Sequence, residues 1–352
     1  MSEAQDIHIR TEGRAGRITL ARPDALNALT YDMAMAIERA LIEWRDDDRV
    51  QLVLIDAEGD KAFCAGGDIE KLYRTGKADD FAYGRKFWSD EYRMNAAVAE
   101  YEKPVVALMQ GFVMGGGVGI GGHASHRVVC ETTQVAMPEC GIGLIPDVGG
   151  SFLLARAPGH LGEYLGLTGA RMAAADAIHA GFADIFVHRD DWPSLISVLC
   201  NTGEAERVVG YSSSPGDSEL QALEADIDAV FAGQSALDCL GILETRADEW
   251  AQKTAKSIRR GCPLSVACTF ELIRMNRHVA SVRVAVANEL RFTWRSMSHG
   301  EFIEGVRAQI IDKDRNPQWQ TARLEDVSEV QIAAMLAPIG EQEAESVSRR
   351  SG

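Results

Sequence analysis

The run Leu52-Val53-Leu54-Ile55, followed by Phe63-Cys64-Ala65-Gly66-Gly67-Asp68-Ile69, decides how the chain is read. Four apolar residues bounded by polar ones predict a strand buried on both faces, with parallel neighbours. The glycine pair then lets the chain turn sharply and leaves backbone N–H groups unshielded. Asp68 is placed to cap or begin a helix running through Leu72. A tight strand-to-helix turn and an anion or oxyanion site are both compatible with this loop. Outward from it the pattern repeats: Val105-Val106-Ala107-Leu108-Met109 and Arg127-Val128-Val129-Cys130 are further buried strands. Helical spacing lies between them, with Tyr31–Arg45 behind Thr30 as N-cap and a second helix over Tyr83–Tyr101. Ile7–Thr11 and Arg17–Leu20 read as a hairpin across Glu12-Gly13-Arg14-Ala15-Gly16. Strand–helix alternation of this kind predicts an α/β fold.

Further along, the organisation changes. Residues 201–218 read as linker-like and contain the turn-rich Ser212-Ser213-Ser214-Pro215-Gly216. Residues 219–336 carry helical periodicity without strand runs. The expected helices are Glu219–Phe231, Ala236–Arg259, Leu264–Met275 and Val279–Met297, with Cys262-Pro263 as punctuation. The expected division is therefore a core over 1–200, a linker over 201–218, a helical region over 219–336 and a polar tail over 337–352.

Composition narrows the function classes. With 352 residues, 46% hydrophobic and 25% charged, the chain is neither disordered, collagen-like nor a small disulfide scaffold. The net charge of −16 and the lack of any Lys/Arg run oppose a nucleic-acid partner. Seven cysteines with no C-x-x-C pair fit a reducing compartment and disfavour a cysteine metal site. The N-terminus has no apolar signal core, and no apolar run reaches ~18 residues, so no membrane partner is expected. The expectation is a cytoplasmic, prokaryotic protein.

Three further stretches carry candidate chemistry. Met114-Gly115-Gly116-Gly117-Val118-Gly119-Ile120-Gly121-Gly122 is too glycine-rich for an ordinary helix, since each glycine costs about 1 kcal/mol relative to alanine. Such a run predicts close backbone approach to a ligand or to another element. Gly117, Gly119 and Gly122 spell G-x-G-x-x-G, but the matching acid, Glu139, sits in a Pro/Gly loop, so a dinucleotide site is set aside. In Met137-Pro138-Glu139 through Pro146-Asp147-Val148-Gly149-Gly150, two acids stand among apolar neighbours. Desolvation raises the pKa of such carboxylates, and two in one pocket can divide acid and base roles. They could equally be loop acids capping helices, Asp147 capping the one at Gly149-Gly150-Ser151. Glu91 shares the apolar stripe of Phe87, Met94 and Val98, so it needs a partner, a wet pocket or a route to solvent. Asn95, one turn on, is a weaker candidate. His123 and His126 lie three apart with no third ligand, and helix-surface histidines are common, so no metal is expected.

Taken together, these residues resemble the enoyl-CoA hydratase/isomerase (crotonase) superfamily. The resemblance rests on Arg22-Pro23 with Asn27-Ala28-Leu29, on Ala62 through Ile69, on Gly115-Gly116-Gly117, on Pro138-Glu139 and on Pro146 through Gly150. Within that superfamily the chain is most similar to 3-hydroxyisobutyryl-CoA hydrolases. The forms of Met114–Gly119, Met137–Glu139 and Ile145–Gly150 carry this, with the late Glu304-Gly305-Val306-Arg307-Ala308, Ile311–Asp314 and Pro317-Gln318-Trp319. The stretch 200–260 shares no motif.

The resemblance implies a crotonase-like spiral of repeated ββα units with a helical C-terminal region, and a CoA-thioester site in residues 1–200. It implies that the backbone N–H groups of Gly67 and Gly116 hold a thioester oxyanion. Glu139 would act as nucleophile or general base, and Asp147 would hold a substrate 3-hydroxyl or assist proton transfer. Glu91, Ala65, Asp68 and Ile69 would contact substrate. The implied reaction is hydrolysis of 3-hydroxyisobutyryl-CoA, with no metal or redox cofactor, CoA being part of the substrate. Homo-oligomers, trimers or dimers of trimers, are common in the superfamily. One departure matters. Hydratases carry a glutamate two residues after the triple glycine, where this chain has Gly119. An enoyl-CoA hydratase or isomerase and a non-catalytic acyl-CoA-binding protein are the alternatives.

Overall fold

The computed structural model describes residues 6–340 and Glu343; the first five residues, the rest of the tail beyond Gly340 and the chain's ending lie outside the described residues. Among the described residues there are nine strands: β1 (Ile7–Glu12), β2 (Ala15–Leu20), β3 (Leu52–Ala57), β4 (Ala62–Cys64), β5 (Val105–Met109), β6 (Phe112–Met114), β7 (His126–Val129), β8 (Gln134–Ala136) and β9 (Ile185–Phe186). The first half holds helices α1 (Tyr31–Arg45), α2 (Glu70–Lys77), α3 (Phe81–Ala99), α4 (Gly116–Gly121), α5 (Gly150–Leu154), α6 (Leu161–Thr168), α7 (Ala174–His179) and α8 (Trp192–Thr202). The second half holds α9 (Glu219–Phe231), α10 (Ala236–Thr245), α11 (Glu249–Arg260), α12 (Pro263–Asn276), α13 (Val282–His299), α14 (Phe302–Val306) and α15 (Glu329–Leu336).

The strands pair in two sheets, one ordered β1-β2-β3-β5-β7-β9 and one ordered β4-β6-β8. Among the described strand pairs only the β1–β2 hairpin is antiparallel. Odd strands β3, β5 and β7 enter the large sheet, and the strand after each enters the small one. That alternation is the spiral of ββα units. Register explains the apolar runs. Val53 and Ile55 of β3 face the main core, whereas Leu52 and Leu54 face a second core with Trp192, Leu195 and Leu199 of α8. Both faces are covered, so the strand is apolar throughout.

Thr30 caps α1 as its position predicts, its side chain accepting from Met33 N at 3.2 Å. Three expectations are corrected. Asp68 does not cap a helix: α2 starts at Glu70, and the Asp68 carboxylate accepts from Arg22 Nη2 at 3.2 Å. The single helix expected over Ala236–Arg259 is two. Asp248 caps the second, accepting from Ala251 N at 2.9 Å, and Arg246 pairs with both Asp226 and Asp248 across the break. His123 is not a surface residue but is buried. Within 201–218, a 3-10 helix over Ala205–Tyr211 anchors Ala205 and Val208 in the second core.

Charge is buried where α1 meets α3. Arg93 of α3 donates to both oxygens of Glu38 at 2.6 and 3.0 Å and to Asp90 at 2.6 Å. Lys86 and the Tyr31 hydroxyl complete Asp90 at 2.5 and 2.6 Å. Among the described residues no helix is long and apolar enough to cross a membrane.

Candidate active site

The small sheet builds the site. Its strands are short, and β4, β6 and β8 each run into a loop at the same end. After β4 comes Ala65-Gly66-Gly67, after β6 Gly115-Gly116, and after β8 Pro138-Glu139. Leu29 bonds the residues on either side of Gly67, its N–H to the Gly66 carbonyl and its carbonyl to the Asp68 N–H. The Gly67 N–H is left outside that pairing. Gly116 opens α4, so its N–H has no partner within the helix. A β-carbon placed on Gly116 would lie 3.3 Å from Gly67 N and 3.2 Å from Glu91 Oε1. The two glycine loops therefore face one another, and any side chain there would crowd the gap between them. Two N–H groups preorganised in this way suit a developing oxyanion, where one such donor is worth roughly 3–4 kcal/mol.

A cavity of about 500 Å³ opens over these loops. It is lined by Ala65, Gly67, Ile69, Glu91, Gly116, Glu139 and Asp147, and not by Asp68. Asp68 instead borders a neighbouring cavity with Tyr31, Lys71 and Tyr83. A larger cleft, about 1160 Å³, lies beside the β1–β2 hairpin. There Arg17 is matched to Glu12 and Asp56.

Three carboxylates line the smaller cavity, and among the described residues none of the three is ion-paired. Glu139 is 6% exposed, Asp147 5% and Glu91 3%. Glu139 Oε2 and Glu91 Oε1 have no hydrogen-bond partner. A β-carbon on Gly115 would come within 3.0 Å of Glu139 Oε1, so that carboxylate lies against the Gly115-Gly116 loop. Burial pushes the Glu139 and Glu91 pKa values well above the ordinary range, with the Asp147 charge adding to both. Burial also raises Asp147, to about 7, although Tyr92 donates to its Oδ2 at 2.7 Å and favours the ionised form. Asp147 does not cap the helix after it. That helix, α5, is capped by Glu289 of α13, which accepts from Gly149 N at 2.8 Å and Ser151 N at 3.1 Å. Desolvated acids with raised pKa values beside two outward-facing backbone N–H groups can attack or deprotonate at an acyl centre.

A family model described as enoyl-CoA hydratase/isomerase matches residues 15–336. The chain belongs to that family. Its relatives include the mitochondrial 3-hydroxyisobutyryl-CoA hydrolase of Danio rerio, 37% identical over 94% of this chain and 89% of the relative. The 3-hydroxyisobutyryl-CoA hydrolase 1 of Arabidopsis thaliana is 32% identical over 94% and 91%. Among solved structures, an enoyl-CoA hydratase of Rhodobacter sphaeroides 2.4.1 superposes with a TM-score of 0.92 at 49% identity, over 96% of this chain and 99% of the other. A carnitinyl-CoA dehydratase of Mycobacterium thermoresistibile gives 0.92 at 38%, over 96% and 98%.

Within this enoyl-CoA hydratase/isomerase family member, position 119 is closed. A β-carbon on Gly119 would stand 2.6 Å from Asn95 Nδ2 and 2.8 Å from Val148 Cβ. A glutamate cannot enter without moving both. Asn95 fills that ground from α3, fully buried, with its Oδ1 unpartnered.

Sequence reasoning missed several lining residues. Trp88 and Leu144 supply apolar wall, while Arg171, Arg260 and Gln309 close the other end. Arg171 and Arg260 are exposed polar residues with no local peculiarity. Gln309 lies on a π-helical turn, Arg307–Ile311, a rare local geometry often found at functional sites. Glu289 was readable in principle. Like Glu91 it interrupts a buried stripe, here Ala285, Val286, Leu290 and Thr293.

Proposed function

We propose that this protein hydrolyses 3-hydroxyisobutyryl-CoA to 3-hydroxyisobutyrate and CoA, a step suited to valine breakdown. One observation carries the reading: Glu139 lies against the oxyanion loop while position 119 is closed to a second acid. Hydration of an enoyl thioester calls on two acid/base groups there; acyl transfer needs one nucleophile or base and an oxyanion hole.

The substrate carbonyl oxygen accepts from Gly67 and Gly116 N–H. Glu139 then acts by one of two routes. In the first, its oxygen bonds to the carbonyl carbon and the C–S bond breaks. CoA leaves as the thiolate, and water cleaves the resulting anhydride. In the second, Glu139 takes a proton from water, whose oxygen attacks the same carbon. Both convert thioester and water to acid and thiol. Asp147 and Glu91 line the same cavity and receive the 3-hydroxyl. The reaction requires no metal or redox group, and CoA serves as the substrate's handle. The seven cysteines are all free and buried, which supports a reducing, cytoplasmic setting.

The names of the solved relatives favour a second reading, enoyl-CoA hydration. The test is CoA release from 3-hydroxyisobutyryl-CoA with crotonyl-CoA hydration in parallel. Thiol release supports the hydrolase. Loss of the enoyl absorbance without thiol release replaces it with the hydratase. Tight binding of both thioesters with neither reaction leaves a binding protein.

A further inference from the structure

The turn that carries Asp147 is held in a conformation that its own residues disfavour. Val148 has a φ of 53°, a left-handed value that a β-branched side chain keeps only when its surroundings hold it there. The Val148 carbonyl lies 2.8 Å from His123 Nε2, which donates to it from behind the glycine-rich α4. That ring is buried, and burial lowers its pKa to about 4, so it is neutral at working pH. On the other side, Glu289 gathers the Gly149 N–H, the Ser151 N–H and the Ser151 hydroxyl. Asn276 Nδ2 donates to Ser151 Oγ at 2.6 Å, and Asn288 Nδ2 to Asn276 Oδ1 at 2.7 Å. All of these groups are buried, and Val148 and Asp147 alone among them line the cavity. Five-residue α5 hardly repays a buried carboxylate fetched from 140 residues away. What the arrangement fixes is the turn before it.

We propose that His123 and Glu289 are positioning residues for the hydrolysis, clamping the strained 147–149 turn from opposite sides so that the Asp147 carboxylate faces the substrate's 3-hydroxyl. The proposal rests on the hydrolase reading given above. Asp147 itself is faced by Tyr92 and Glu91 from α3, by Glu139 from its own loop and by Glu289 from α13.

The full chain and its His123→Ala, His123→Gln, Glu289→Ala and Glu289→Gln variants are assayed for CoA release from 3-hydroxyisobutyryl-CoA and from isobutyryl-CoA, which lacks the hydroxyl. Melting temperature is recorded for each, and kcat and KM are followed against pH. His123→Ala is expected to lower kcat about tenfold on the hydroxylated thioester and less than threefold on the other. His123→Gln, whose amide can reach the same carbonyl, recovers most of the loss. Glu289→Gln loses the carboxylate that accepts from Gly149 N, Ser151 N and the Ser151 hydroxyl, and is expected to lower kcat more on the hydroxylated thioester than on the other. Equal losses on both thioesters that track melting temperature would assign a merely structural role and overturn the proposal. So would His123→Ala and Glu289→Gln variants that both leave the ratio between the two thioesters unmoved. A wild-type chain that releases CoA from neither thioester would overturn the hydrolase reading itself, a separate failure.

Discussion

Asp90 and Glu91 are neighbours on α3, equally buried, and they live under opposite rules. Asp90 turns toward Arg93, Lys86 and the Tyr31 hydroxyl, and despite its burial these partners hold its pKa below the ordinary carboxylate value. Glu91 turns toward the cavity, where among the described residues it has no ion-pair partner, and burial, with the Asp147 charge adding to it, pushes its pKa well up. One side of the helix neutralises its acids; the other leaves them exposed to one another. Buried charge left unpaired is costly, so a chain keeps it only where the unpaired state is used. The contrast separates scaffold from site within two consecutive residues.

Glu139→Gln puts the greatest strain on that contrast. CoA release should fall by about 10²–10⁴-fold, the range for losing a positioned base, while the melting temperature holds or rises. A Glu139→Gln variant that keeps full turnover would place the chemistry elsewhere. On the scaffold side, Arg93→Leu leaves Glu38 and Asp90 without their shared guanidinium. Breaking a buried pair in this way costs about 3–5 kcal/mol, measured by denaturant unfolding, with kcat of the folded protein within twofold of wild type. A drop in kcat with stability intact would mean that this ion cluster belongs to the site.

Asp147→Asn sharpens the comparison through pH. Buried Asp147 titrates near 7 against 3.8 for the free side chain, so the folded chain retains a proton that the unfolded chain has lost. Wild-type stability therefore falls as pH rises from about 4 to about 7, by up to about 4 kcal/mol from this group. The asparagine variant should melt higher than wild type at pH 8 and equal to it near pH 4, with hydrolysis impaired. Equal melting shifts at both pH values would count against a strained acid. Lys86→Ala is the smallest effect. Lys86 is 62% exposed, and its loss should cost no more than about 1 kcal/mol, because Arg93 and Tyr31 still satisfy Asp90.

Much of the fold was legible because local signals agreed with the outcome. Thr30 ahead of an amphipathic run marked α1, and apolar runs of four and five residues marked β3 and β5. Glu219–Phe231 was marked by helical periodicity after a turn-rich stretch, and in the structure Ser218 caps it. The break at Arg246-Ala247-Asp248 was hidden because apolar spacing continues across it, with only the Asp248 cap to signal a restart. Asp68 misled because an acid before a helix looks like a cap, whereas its partner is Arg22, 46 residues earlier. In the site, the glycine loops and both loop acids could be named because their own neighbours are unusual. Arg171 and Arg260 could not, since nothing local marks them, and His123 could be named without its role, since the Val148 carbonyl it meets lies 25 residues on.

Glu289 is joined to the turn across 140 residues, and that separation has a consequence for synthesis. Chains leave the ribosome N-terminus first, at about 5–20 residues per second. The glycine loops and both loop acids emerge well before α13. For roughly ten seconds at such rates, the nascent chain holds Glu91, Glu139 and Asp147 and lacks the carboxylate that fastens Gly149 and Ser151. The last long helix described is thus the one that fastens the turn beside Asp147, and the proposed site is complete only near the end of translation.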